Sequence, residues 1–334
     1  MTSANTTEIA IAPNAVKQIG LVGTGIIGSG WAAHFLAQGL DVIATDPHPQ
    51  AEQMLRARVD NAWPALEQLG LAEGASRERL SFTTSMAEAL GSADFIQESV
   101  PESEAIKDQV MAAISEVARP DVVIASSTSG IPPSRLQAQC AHPQRMVVGH
   151  PFHPVYLIPL VEVVGGQHTA AETIQWTMEF YRHLHKSPLQ CRTEKLKHIG
   201  NRLQAALYSE MLHLIQEGAA TTAELDAALS SGPGLRWALM GSNLQYHLGS
   251  GEAGIGEGLA GYHSPPLRPE ISAPPVDKSL SLQVAEGARA QAAGRSSKEM
   301  EQMRDAFLVG LLKLRRDIEE TYGFDQGRFR ESSN

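Results

Sequence analysis

A chain of 334 residues with 43% hydrophobic and 19% charged side chains is long for one core, which points to a globular protein of two domains. Its net charge of −10 argues against nucleic acid, whose phosphates need a basic face, and no apolar run is long enough to span a membrane. Cys140 and Cys191 offer no disulfide framework and no metal-like spacing, so both read as inert thiols. The opening "MTSANTTEIAIAPNA" lacks the basic start and long apolar segment of a secretory signal, so residues 1–15 read as a flexible N-terminal extension and the expected compartment is the cytoplasm.

The first element is a β-like run, "KQIGLV" at 17–22, which leads into "GTGIIGSGW" and a helix expected over 26–38 that stops at Gly39. A second strand, 41–46, closes on Asp46 about 20 positions beyond the glycines, where a dinucleotide-binding βαβ unit needs an acidic residue. In that reading Gly23 permits the tight turn, Gly25 lets the backbone approach a pyrophosphate, and Gly28 allows the helix to pack on the strand. Ile26 and Ile27 open the helix whose N-terminus faces the phosphates. Asp46 accepts hydrogen bonds from ribose hydroxyls and repels a 2′-phosphate, so the expected cofactor is NAD rather than NADP.

Further strands are expected at 80–85, 94–99, 121–126, 145–150 and 159–164, alternating with helices at 49–69, 103–118 and 170–185, the pattern of a parallel α/β sheet. From Lys195 the period becomes helical, with segments at 196–217, 221–230, 278–293 and 297–322, and the proline-rich "SPPLRPEISAPP" at 264–275 reads as a loop. The expected architecture is a Rossmann-type doubly wound sheet over 16–194 followed by an all-α domain over 195–325.

Oxidising an alcohol needs an acceptor for the hydroxyl proton, and histidine suits that task at neutral pH. Of 12 histidines, His150 ends the strand "RMVVGH", and doubly wound sheets bind ligands outside the carboxyl ends of their strands. A hairpin return through "PFHPVYLIP" could bring Glu162 beside it to orient the ring; a core histidine and a strand-edge carboxylate are the alternative. Prolines flank both His150 and His153, and no carboxylate or thiolate completes a set with them or His142, so no metal site is expected.

"SSTSG" at 126–130, "GHPFHPVYLIPLVEVV" at 149–164 and "GNRL" at 200–203 resemble the 3-hydroxyacyl-CoA dehydrogenase superfamily, and "NAWPALEQLGL", "DFIQESVPE" and "GPGLRWALMG" resemble its carnitine dehydrogenase branch. The resemblance implies NAD-dependent oxidation of a small 3-hydroxy acid with His150 and Glu162 as the catalytic pair, Ser129 on the reacting oxygen and Asn201 from the second domain. It places Glu102 and Lys107 against the cofactor and implies a homodimer formed through the helical domain. Three departures stand out: His153 replaces an asparagine, "EKLKHIGNRL" replaces a Pro-Gly-Phe approach to Asn201, and "SNLQYHLGSG" follows "GLRWALMG".

For a carnitine-like molecule, Arg236 is the candidate carboxylate anchor. Trp237 and Tyr246, with Phe152, Tyr156 and Tyr262, are candidates for an aromatic cage around a quaternary ammonium, and His153 joins the substrate set. Another 3-hydroxy acid, such as gulonate or a hydroxyacyl compound, and a cofactor-binding protein with little turnover remain open.

Overall fold

A computed structural model describes residues 9–194, 197–238, 241–242 and 293–322. The described residues form an eight-stranded sheet of order β3-β2-β1-β4-β5-β6-β7-β8, from β1 (Gln18–Val22), β2 (Asp41–Thr45), β3 (Leu80–Thr83), β4 (Phe95–Glu98), β5 (Val123–Ser126), β6 (Met146–Pro151), β7 (Leu160–Gly165) and β8 (Ser187–Cys191). All neighbours pair parallel except β6 and β7, which form an antiparallel pair with His150 directly opposite Glu162. The Rossmann-type sheet expected from the alternating pattern is therefore present. The antiparallel pair follows from chemistry as well as spacing, since two strands separated by only eight residues cannot cross over in parallel.

Helices cover both faces. On one side α1 (Ile26–Ala37), α2 (Ala51–Leu69) and α6 (Ala171–His183) pack into one hydrophobic cluster with Ile19, Val42, Phe95 and Val147. On the other, α3 (Met86–Leu90), α4 (Glu104–Val117) and α5 (Pro133–Gln137) contribute Leu90, Met111, Ile114 and Leu136 to a second cluster. Helix α1 is buried from Gly28 to Ala37 and largely apolar on every side: Trp31 stacks on Phe35 at 5.2 Å and on Tyr181 of α6 at 5.4 Å. That packing fixes the helix whose N-terminus ends the glycine loop.

Residues 9–15, part of the stretch expected as a flexible extension, are packed down. Ile9 and Ile11 lie against the first cluster, Pro13–Ala15 form a 3₁₀ turn, and the Trp176 indole donates to the Ile11 carbonyl at 2.7 Å. Burying two apolar side chains and satisfying an indole N–H offsets the ordering cost of a short segment.

The chain divides into two compact units, with the boundary at Ile199 and Gly200. The second unit takes in α7 (Ile199–Gln216) from Gly200 onward, with α8 (Thr222–Ser230), α9 (Pro233–Trp237) and α10 (Ser297–Tyr322). Among the described residues all of its regular structure is helical, and Thr221 and Glu224 close α8 with a reciprocal capping box. The helix expected at 278–293 and the loop at 264–275 lie outside the described residues, except for Ala293, which stands in a turn. None of the described helices is long and apolar enough to cross a membrane.

Candidate active site

The glycine loop has the shape its sequence requires. Gly23 adopts φ +88°, and a β-carbon there would meet the Ser99 backbone at 2.7 Å. A β-carbon on Gly28 would lie 2.0 Å from the Gly23 carbonyl oxygen, so only glycine lets α1 start this close to β1. Gly25 has nothing within 4 Å of that position, and it caps α1 without a side-chain bond, leaving open space before the helix N-terminus. Ile27 packs against the core while Ile26 is exposed, so both present backbone rather than a polar side chain at that end.

Asp46 stands immediately after β2 with its carboxylate held in place. Oδ2 accepts from the Thr24 amide at 2.9 Å and the Thr24 hydroxyl at 3.1 Å, and Oδ1 accepts from the His48 amide at 2.9 Å. Arg58 of α2 donates to the Thr24 carbonyl at 3.1 Å, a contact that sequence reading did not single out. The uncapped helix start, the open face of Gly25 and the fixed Asp46 carboxylate fit a dinucleotide with free ribose hydroxyls.

At the carboxyl ends of β5 and β6 lie the groups suited to proton transfer. His150 Nδ1 is 3.0 Å from Glu162 Oε2, and both side chains are buried. A carboxylate only accepts, so the hydrogen sits on Nδ1 and the Nε2 lone pair is left to take a proton. Cys191 of β8 donates weakly to the other Glu162 oxygen at 3.9 Å, and burial, with the Glu162 charge beside it, pushes its thiol up to about 11. Cys140 is likewise pushed up to about 11, first by burial. Both remain thiols.

The loop after β5 carries Ser129 and is gathered by a single carboxylate. Glu102 Oε1 accepts from the Thr128 hydroxyl at 2.7 Å and from the Ser129 and Gly130 amides at 2.9 Å each, with the Ser129 hydroxyl at 3.4 Å. Partial burial raises the Glu102 pKa, but the Thr128 hydroxyl, Lys107 and the two amides outweigh it and hold the carboxyl below its usual range.

Lys107 is buried and donates to Glu98 Oε1 at 2.7 Å and to the Val100 carbonyl at 3.3 Å, with Glu102 Oε2 at 3.8 Å. The wholly buried Glu98, which also accepts from the Val100 amide and the Ser126 hydroxyl, was not legible as a partner. In "DFIQESVPESEAIK" Lys107 lies nine residues on from Glu98, one helical turn inside α4 and across an irregular segment with no period to link the two.

His198 is the other group that sequence reading passed over. Its ring centroid lies 5.1 Å from that of His150, and its Nε2 is 3.1 Å from the Thr128 carbonyl oxygen. Burial first, then repulsion from His150, keep this imidazole below its ordinary range, against the Thr128 carbonyl and the charges of Glu162 and Glu102.

Of the substrate candidates, Phe152 sits edge-on to His150 at 5.3 Å, His153 is exposed on the turn after β6, and Tyr156 packs against the main core. Arg236 and Trp237 lie on α9, and Asn201 stands in the first turn of α7, all three in the second unit. Tyr246 and Tyr262 lie outside the described residues. Among the described residues no group of three or more His, Cys, Asp or Glu side chains is placed to hold a metal ion.

Comparison with known proteins decides the family. Residues 18–194 match the 3-hydroxyacyl-CoA dehydrogenase NAD binding domain, and residues 198–291 match the C-terminal domain of the same family. The chain belongs to the 3-hydroxyacyl-CoA dehydrogenase family. This family member is an NAD-dependent oxidoreductase. It is 50% identical over 304 residues to the L-carnitine dehydrogenase of Bacillus cereus, covering 90% of this chain and 93% of that one. With the L-carnitine dehydrogenase of Pseudomonas aeruginosa it shares 49% identity over 312 residues, covering 92% and 97%. A solved structure of 5-formyl-3-hydroxy-2-methylpyridine 4-carboxylic acid 5-dehydrogenase, an NAD+-dependent dismutase, matches with a TM-score of 0.77 at 27% identity, covering 90% of this chain and 99% of that one.

Proposed function

We propose that this dehydrogenase oxidises the 3-hydroxyl of a small hydroxy acid, L-carnitine foremost, with His150 as the base that takes the hydroxyl proton. The observation that carries the reading is the 3.0 Å contact between His150 Nδ1 and the buried Glu162 carboxylate. Glu162 fixes the tautomer, so that Nε2 accepts the proton, and its charge stabilises the imidazolium that results. His150 is buried against this carboxylate at the end of β6, whereas His153 is exposed on the turn that follows, and this burial favours His150 as the base.

Bound at the glycine loop, NAD supplies the acceptor for the hydride. Gly23 and Gly28 shape the turn and let α1 start close to β1, so that Gly25 and the first-turn amides of Ile26 and Ile27 would receive its phosphates and Asp46 its ribose hydroxyls. Ser129 and Asn201 hydrogen-bond the reacting oxygen. Glu102 and Lys107 serve the cofactor by shaping the loop between β5 and α5. For the substrate, L-carnitine dehydrogenases at 49–50% identity support a carnitine pocket, with Arg236 as the carboxylate anchor and Trp237 and Tyr246 as aromatic faces for the trimethylammonium group.

The protein works as a homodimer joined through its helical unit. Ile199, Leu203 and Leu207 recur at every fourth position along α7 and are exposed, as are Met303 and Phe307 on α10.

The decisive experiment replaces the base. His150→Ala lowers the rate of NADH formation from L-carnitine by on the order of 10² to 10⁴ with NAD affinity nearly unchanged, and Glu162→Gln does the same more mildly. Rapid turnover by His150→Ala would remove His150 from the role.

A further inference from the structure

One buried titratable side chain beside the base has no part in the reaction described so far. His198 is 4% exposed, and its ring lies against that of His150 at 5.1 Å with the two planes at 52°. On its other side Nε2 stands 3.1 Å from the Thr128 carbonyl oxygen. A carbonyl only accepts, so Nε2 carries the hydrogen and His198 donates. The Thr128 hydroxyl in turn donates to Glu102 at 2.7 Å and accepts the Ile131 amide at 3.1 Å, so the bond from His198 lands on the residue that organises the loop bearing Ser129.

The backbone supports a dedicated role. Lys197 adopts φ +62°, in the left-handed region that favours glycine, immediately before His198. A non-glycine residue held there costs free energy, and such strain persists where the surroundings over-determine the conformation, commonly at functional sites. Here the neighbouring ring is held on two sides, by His150 and by Thr128.

We propose that His198 is a positioning residue for the oxidation, which sets the spacing between the His150 imidazole and the Ser129 loop through its bond to the Thr128 carbonyl. The inference rests on His150 being the base. The charged groups around His198 are His150 from β6, Glu162 from β7 and Glu102 ahead of α4, with the neutral Cys191 thiol of β8 beyond Glu162. Two imidazolium rings at this separation repel each other. His198 therefore stays neutral while His150 takes the substrate proton, and it keeps its Nε2 hydrogen on Thr128 through the cycle.

The test compares His198→Phe, which fills the space without a donor, with His198→Gln, which restores an N–H donor. The kcat and KM of NADH formation from L-carnitine and from 3-hydroxybutyrate and NAD affinity by fluorescence are read together. His198→Phe lowers kcat by about tenfold with NAD affinity unchanged, and His198→Gln recovers the rate to within about threefold. The loss falls on kcat with KM for L-carnitine unchanged and is recovered by the donor-bearing variant, a split that a merely structural role would not produce. Wild-type kcat in His198→Phe, or no recovery in His198→Gln, overturns the inference. Run in parallel, His150→Ala separates the two claims: if it stays active the base is wrong, and if it is inactive while His198→Phe is unimpaired only the role of His198 fails.

Discussion

In the proposed function a single carboxylate, Asp46, sets the choice of NAD over NADP. Three donors fix it, from Thr24 and His48, so its charge stays where a 2′-phosphate would have to sit. NAD therefore binds much more tightly than NADP, and Asp46→Ser narrows the gap; equal affinities in the wild type, measured by fluorescence titration, would sink this explanation. Both Asp46 and the His150–Glu162 pair could be found in the sequence because regular strands put them at countable positions, a strand terminus in one case and two facing strands in the other. His198 could not. It follows an irregular turn through Lys197, where neither a period of two nor of 3.6 says which way a side chain faces. Lys107 was singled out only through the family resemblance, as a cofactor contact, and its buried partner Glu98 was not, because a charged residue in a strand gives no sign of what will neutralise it.

Single elements show the same division between periodic and short segments. The long helices α2, α4, α6 and α10 were readable from their apolar spacing, whereas α3 and α5 span five residues each and are too short for a period to register. Strand β8, "SPLQC", escaped because it holds a proline and few β-branched residues, which an edge strand tolerates.

Just before β8, Lys186 anchors the turn that follows β6. Its buried ammonium donates to the Val155 carbonyl and, at 3.1 Å, to that of Ile158, and lies 5.4 Å from the Trp31 ring. Burial brings its pKa down to about 7. A lysine depressed in the fold binds fewer protons there than in the unfolded chain, so its contribution to stability rises with pH between about 7 and 10.5. The unfolding free energy of the wild type, measured relative to Lys186→Met, therefore climbs with pH across that window by at most about 1.4 kcal/mol per unit. A difference that stays flat from pH 7 to 10 in denaturant titrations contradicts an ammonium desolvated in the native state.

For the whole molecule, the two units carry different tasks. The first holds the glycine loop, Asp46 and the His150–Glu162 pair on one sheet, while the second presents the apolar stripe on α7, where Leu203 is 69% exposed, and Phe307 on α10 at 64%. A stripe of that kind is costly to leave in water and suits a second copy of the chain. Sedimentation should give twice the 35.9 kDa chain mass, and Leu203→Glu should shift the protein toward monomer. A wild type that sediments as a monomer rules the dimer out.

Substrate choice is the property least legible from the fold, since in the proposed function a His–Glu pair on an α/β sheet would serve any small 3-hydroxy acid and the discrimination would fall to the candidate anchor Arg236 and the aromatic faces. L-carnitine, gulonate and 3-hydroxybutyrate share a carboxylate and a 3-hydroxyl and differ at the far end, so they isolate the contribution of the trimethylammonium group. Its cation–π contact is worth about 0.5 to 2 kcal/mol, several-fold to about thirty-fold in affinity. On that basis kcat/KM for NAD-dependent oxidation, measured side by side, is highest for L-carnitine, Trp237→Ala erodes the preference, and Arg236→Ala weakens all three substrates. A higher kcat/KM for gulonate or 3-hydroxybutyrate contradicts the carnitine assignment.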